Sequence, residues 1–250
     1  MMQASMSWSR RFRPGIAPTL MVIAVIATTV SLGRWQAGRA IEKETAAATV
    51  AKAQAAAPIH VRDRSLTLSE VEHRRVVARG EFIADSTIYL SNRTRRGVSG
   101  FEVLTALRTD GGIKVVVDRG WTAADPAHIN NAPRVMTPVG VVTVEGMAVA
   151  DPGRFAPMLG AAANMDLPAG AIWPNFAFDA YLRATRLAVQ PFVVLQTSAL
   201  DDGLLREWTP PGTGAQKHWS YAVQWWAMAA AAAIWWVWFG ITRARAATKG

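Results

Sequence analysis

The sequence contains no cysteine and only four histidines. Without cysteine, disulfide bonding, thiol-based copper transfer and attachment of a prosthetic group through Cys-x-x-Cys-His are excluded. His60, His73 and His128 have no partner at metal-ligand spacing, and they read as surface residues. Gly-x-Ser-x-Gly and Gly-rich phosphate loops are also missing, so the residues point away from an enzyme. Acidic residues are absent from both ends. The first tail holds Arg10, Arg11 and Arg13, and the last holds Arg243, Arg245 and Lys249, with no Asp or Glu in either.

Charge is absent altogether from Ile16 to Gly33 and from Tyr221 to Ile241. At about 1.5 Å per residue the shorter run covers roughly 27 Å, close to the thickness of a bilayer core. Both runs are therefore expected to span a membrane. The basic tails place both ends in the cytoplasm by the positive-inside rule, although Arg34, Arg39 and Lys43 follow the first span on its other side. A cleaved signal is the alternative for the first run, and Ser9-Arg10-Arg11-Phe12 is similar to a twin-arginine signal. Ser31-Leu32-Gly33-Arg34-Trp35 offers no Ala-x-Ala cleavage site, so retention is expected. The net charge of +9 is spread over tails and membrane flanks without an aromatic-studded basic stripe, and nucleic acid is not expected as a partner.

Between the spans, Ala37 to Ala57 is rich in helix formers with no turn signal before Pro58, and it predicts a helical stalk. Strands are expected around Val76 to Phe82, Ser86 to Ser91, Phe101 to Arg108, Ile113 to Arg119, Val139 to Val149 and Phe192 to Gln196. Thr109-Asp110-Gly111-Gly112 joins two of them as a hairpin turn. Asp179 is expected to cap a short helix through Tyr181, Leu182 and Ala184, and Gly153 to Gly170 reads as a loop. The expected fold class is a membrane protein in which two transmembrane helices flank an α+β domain, a small antiparallel β barrel or sandwich with short peripheral helices. The expected organisation is a cytoplasmic tail (1–14), a first transmembrane helix (15–35), the stalk (36–57), a periplasmic β-rich domain (58–217), a second transmembrane helix (218–241) and a second cytoplasmic tail (242–250). Ala24 with Thr28, and Ala227 with Ala231, have the small-xxx-small spacing that lets two spans approach closely.

The chemistry-bearing residues gather at one membrane boundary. Leu32-Gly33-Arg34-Trp35-Gln36 with Arg39 leaves the first span, and Lys217-His218-Trp219-Ser220-Tyr221-Ala222-Val223-Gln224-Trp225-Trp226 enters the second. His218, Tyr221, Ala222 and Trp225 share one helix face, as do Trp35 and Arg39. An aromatic belt with snorkelling cations and a solvated histidine explains these residues as well as a ligand site does. In the outer domain, Asp118-Arg119, Asp201-Asp202 and Arg93 read as exposed charge at strand ends, and a contact from Arg93 or Arg119 to a partner is the other reading.

These segments, followed in order by Gly80-Glu81-Phe82, Leu90-Ser91-Asn92-Arg93, Gly97-Val98-Ser99-Gly100-Phe101, Asp118-Arg119-Gly120-Trp121, Pro191 to Gln196 and Asp201-Asp202-Gly203-Leu204, resemble the surfeit locus protein family of cytochrome oxidase assembly factors. The resemblance covers nearly the whole chain. Asp118 stands where the family commonly has asparagine, and Trp226 where phenylalanine is usual. The resemblance implies a non-catalytic factor that binds haem a and presents it to the nascent catalytic subunit of cytochrome c oxidase, with the machinery of haem a synthesis as a further partner; the apolar runs themselves make the lipid bilayer a partner. It implies His218 as an axial ligand to the haem iron, Arg34, Arg39 or Lys217 as partners of the propionates, and Trp35, Trp219, Tyr221 and Trp225 as the aromatic surroundings of the macrocycle. The implied location, given the alanine-rich composition, is a bacterial inner membrane. A scaffold that binds no haem is the competing expectation, and a two-span sensor is disfavoured because neither tail can hold a signalling domain.

Overall fold

The computed structural model describes residues 12, 14–128, 131–153, 167–208 and 214–246. The chain divides into two compact units, Met1–Ala48 with Pro210–Gly250, and Thr49–Thr209.

The first unit is built on two long helices, α1 (Ile16–Ala55) and α4 (Ala215–Ala246), both long and apolar enough to cross a membrane. Pro18 falls in the first turn of α1, where a missing N–H is harmless, and the helix stops three residues before Pro58. Two hydroxyls of the apolar part of α1 are satisfied on their own helix, Thr29 donating to Val25 O at 2.8 Å and Ser31 to Ala27 O at 2.7 Å. Leu20, Met21, Ile23, Ile234 and Trp238 are exposed, so the outer surface of the pair is apolar.

The two helices run antiparallel and pack along a seam of alternating three- and four-residue steps. Thr19, Val22, Ile26, Thr29, Gly33, Gln36, Ala40 and Lys43 face inward on α1, and His218, Ala222, Trp225, Ala229 and Trp236 do so on α4. This is the 3.5-residue period of a left-handed pair. The small residues that permit close approach lie seven apart, Gly33 with Ala40 and Ala222 with Ala229. Ala24, Thr28, Ala227 and Ala231 are all exposed, so the small-xxx-small spacing identified the wrong face. Four-residue spacing suits a right-handed crossing, and this pair does not use one.

The second unit is a β barrel with short helices. Its strands are β1 (Ile59–Val61), β2 (Arg75–Phe82), β3 (Ile88–Arg95), β4 (Val98–Thr109), β5 (Lys114–Ala123), β6 (Val141–Val149), β7 (Ile172–Trp173) and β8 (Val193–Gln196). Five of them close in the order β2, β6, β8, β5, β4 and back to β2 through Gly80↔Thr109, Glu81↔Arg108 and Phe82↔Leu107. Closure needs Gly80, because a β-carbon there would lie 2.0 Å from Arg108 O. β1, β3 and β7 extend the sheet outside the ring.

A barrel therefore forms, and the expected antiparallel pairing holds for four of its five seams; β5 and β8 are parallel. β8 arrives through β7 and a helix rather than through a hairpin, which frees its direction. Val115 and Val117 point into the barrel with Val76, Ala78, Val144 and Val194. Val116, Val193 and Leu195 point outward beneath Trp173, Phe176 and Tyr181. With both faces covered, this strand reads as continuously apolar.

The short helices are α2 (Leu68–Val71) and α3 (Phe178–Thr185). At the start of α2, Glu70 accepts the Thr67 backbone N–H at 2.7 Å. This bond, aided by Arg64 at 3.0 Å, holds the Glu70 carboxyl down to about 2. The N-cap of α3 is Ala177, and Asp179, expected as the cap, lies in its first turn, where its charge suits the helix dipole. Tyr181 fixes α3 to the barrel by donating to Ser86 O at 2.8 Å, and burial pushes its phenol up to about 12. Most of the expected loop, 154–166, lies outside the described residues. β1, β7 and α2 have two to four residues each and carry no periodic signal in the sequence.

Candidate functional site

On the helix pair, the side chain of His218 projects from α4 into the seam and meets Gln36 of α1, with His218 Nδ1 2.7 Å from Gln36 Oε1. A carboxamide oxygen only accepts, so the ring nitrogen facing it carries the proton. In the neutral imidazole the lone pair is then on Nε2, the atom free to bind a metal. The next residue is held as well, Trp219 Nε1 donating to Glu44 Oε1 at 2.8 Å. A β-carbon on Gly33 would fall 2.3 Å from Trp226 Nε1, so the glycine is the socket of that indole. At the other end Trp236 Nε1 donates to Thr19 Oγ1 at 3.1 Å, and Arg243 donates to Pro14 O at 3.3 Å.

His218 and Trp225 are thus half-buried on the seam, with Ala222 fully buried between them. Tyr221 is 41% exposed and Trp35 55% exposed, on outer faces of their helices. Arg34 is exposed, and Arg39 is paired with Glu42 at 2.8 Å. Sequence reasoning assigned nothing to Gln36, Glu44 or Gly33. The findable signal was the seam period, which puts positions 33, 36 and 40 on one face.

In the barrel, charge expected to face water is buried. Arg119 is 0% exposed and donates to Asp202 Oδ2 at 2.9 Å, to Met136 O at 2.7 Å and to Thr137 Oγ1 at 3.3 Å. Its guanidinium lies over Phe82 with 5.2 Å to the ring centre. Arg206 bridges both Asp202 oxygens at 2.7 and 2.8 Å. Burial lowers the Arg119 pKa, and the bond to Asp202 opposes the shift. This corrects the strand-end reading and makes Arg119 unavailable to a partner. The residue leaves the ladder at a bulge, where Val103 pairs with Gly120 and Leu104 with Asp118, so a position expected at the solvated edge turns inward.

Asp118 is also fully buried, and only its Oδ1 is engaged, accepting Gly120 N–H at 3.3 Å. Burial first and the charge of Glu102 second push its carboxyl well above the ordinary range. Glu102 is itself raised by burial, against the pull of Arg93 at 2.8 Å and Arg95 at 3.1 Å. His60 lines an open groove of about 580 Å³ with Arg62, Arg79, Asp110 and Thr143, across which Arg79 and Asp110 pair. His73 has a left-handed backbone and donates its N–H to Ala148 O at 2.8 Å, and His128 pairs with Asp125 at 3.0 Å. Among the described residues no three His, Asp or Glu side chains gather as a metal-ion site.

Fold and site together define a β-barrel protein joined to a pair of membrane-type helices, with an oriented imidazole on the helices rather than in the barrel. The model of the SURF1 family matches residues 23–230, a range that includes Gly33, Gln36, His218 and Trp226. The chain belongs to the SURF1 family, and membership implies a role in cytochrome oxidase assembly. It is similar to a SURF1-like protein of Monosiga brevicollis, 26% identical over 239 residues that cover 86% of this chain and 85% of that protein. It is also similar to uncharacterized SURF1-like proteins of Mycobacterium bovis and Mycobacterium tuberculosis, 29% identical over 140 residues that cover 53% of this chain and 51% of theirs. The matched segment thus covers about half of this chain and about half of the mycobacterial relatives.

Proposed function

We propose that this chain is a non-catalytic assembly factor of a bacterial inner membrane that carries haem a as cargo and presents it to the nascent catalytic subunit of a haem-copper cytochrome c oxidase. The observation that carries the reading is the His218–Gln36 contact of 2.7 Å, which leaves the opposite ring nitrogen as the ligating atom. Haem brings its own iron and macrocycle, so a single protein nitrogen suffices to hold it. A carrier must also release, and one axial ligand suits release better than a closed pair.

The remaining residues fit that cargo. Trp35 and Tyr221 are exposed aromatic faces on the adjoining turns, and Trp225 lies half-buried on the same seam as His218, seven residues further along α4. Arg34 offers a cation for a propionate, while Arg39 has to exchange Glu42 for it. The apolar outer surface of the helices suits lipid and the isoprenoid tail of haem a alike. In this reading both tails are cytoplasmic, the barrel is periplasmic, and the haem a synthesis machinery is the donor.

The same contact favours a second reading. A hydrogen bond across the seam also fastens the two helices, which is the role His218 would have in a scaffold that binds no haem. Protein purified from cells that make haem a separates the two. His218→Ala is expected to lose most of the haem absorbance while the barrel retains its fold, Arg39→Ala to lose less, and replacements of His60, His73 and His128 to change nothing. Unaltered haem content and spectrum in His218→Ala would establish the scaffold instead.

A further inference from the structure

We propose that Gln36 is a positioning residue that fixes neutral His218 in the Nδ1–H tautomer and so directs its Nε2 lone pair to the iron; the proposal rests on His218 being the haem ligand. Three features of the seam support it. The acceptor is a carboxamide oxygen 2.7 Å from Nδ1, close enough to set which nitrogen holds the proton. Gln36 is itself half-buried, with Gly33 and Ala40 buried about one turn to either side, so its amide competes little with water. The helix segment carrying His218 is held by an adjacent bond as well, Trp219 to Glu44 at 2.8 Å. Ring rotation would break the first of these bonds, and sliding of α4 would break both.

A hydrogen-bonded partner on the distal nitrogen orients a ligating histidine and raises its basicity, and removal of such a partner typically costs 10–100-fold in metal affinity. Gln36 therefore acts through His218 and touches no cargo atom itself. Gln36→Glu keeps an acceptor at the same reach, whereas Gln36→Leu keeps the volume and deletes it.

The test uses the full-length protein in detergent, labelled with ¹⁵N-histidine, at a pH where the imidazole is neutral, with His218→Asn identifying the resonance. Without haem, the wild type is expected to show a protonated Nδ1 and an unprotonated Nε2 at His218. Gln36→Leu is expected to move the ring toward the Nε2–H form, and Gln36→Glu to restore the first pattern. Titration with haem a should then show a ten- to hundred-fold weaker uptake for Gln36→Leu, recovered in Gln36→Glu. An Nε2–H ring in the wild type, or an unchanged tautomer in Gln36→Leu, overturns the proposal. Uptake abolished by His218→Ala but equal in wild type and Gln36→Leu overturns the role of Gln36 alone. No uptake by the wild type overturns the ligand reading itself.

Discussion

The indole of Trp226 occupies the place that a side chain at position 33 would take, since a β-carbon on Gly33 would lie 2.3 Å from its Nε1. The packing of the two helices depends on that vacancy and on the small residues at seven-residue spacing. Gly33→Leu is expected to destabilise the helix pair by about 1–3 kcal/mol, the usual cost of overpacking, and Trp226→Ala in the same chain to recover part of it. Ala222→Leu and Ala229→Leu should be as damaging, whereas Ala227→Leu and Ala231→Leu, which face outward, should be close to neutral. Thermal unfolding in detergent reads the difference; equal effects from the two alanine pairs would disprove the seam.

Asp202 neutralises two guanidinium groups in a site from which water is largely removed. Asp202→Ala leaves buried Arg119 without its counter-charge and is expected to cost about 3–5 kcal/mol, measured by denaturant unfolding of the barrel. Asp201→Ala, one residue earlier and exposed, should change stability little. A loss below about 1 kcal/mol for Asp202→Ala would show that solvent reaches Arg119.

Asp118 gives stability a pH dependence of definite sign. Its carboxyl is raised in the folded protein, so the folded state holds the proton more tightly than the unfolded chain, where aspartate titrates at about 3.9. Its contribution is complete below about pH 4 and is lost as pH rises through the elevated value. Asp118→Asn retains an acceptor for Gly120 N–H and removes the ionisation. The variant is expected to be more stable than the wild type at neutral pH, with the advantage disappearing near pH 4. A difference independent of pH would contradict the buried-acid description.

The proposed placement of the barrel outside the cytoplasm is tested by topology reporters. Fusions after Ala57 and after Gly203 are expected to be active on the outer side, and a fusion at Gly250 on the inner side. Reporters that put Ala57 and Gly250 on the same side would defeat the arrangement.

The sequence by itself determined the long apolar helices and most of the strands. Two uncharged runs can bury no charge on any face, and the turn Thr109-Asp110-Gly111-Gly112 lies where β4 and β5 join. It also carried the motifs by which the family was legible, Leu32-Gly33-Arg34-Trp35-Gln36 and Lys217-His218 among them. What it could not provide was the partner of each residue. His218 was visible as an isolated imidazole, but Gln36 lies 182 positions away and meets it only when the helices pack in one register. Asp118 and Arg119 looked like solvated ends of a strand, and a one-residue bulge and the closure of the barrel at Gly80 decided that both are buried. Local propensity and charge pattern act along the chain, so the sequence displays them directly; helix register, strand closure and the burial of a charge depend on contacts between distant segments, and the tertiary structure alone decided them.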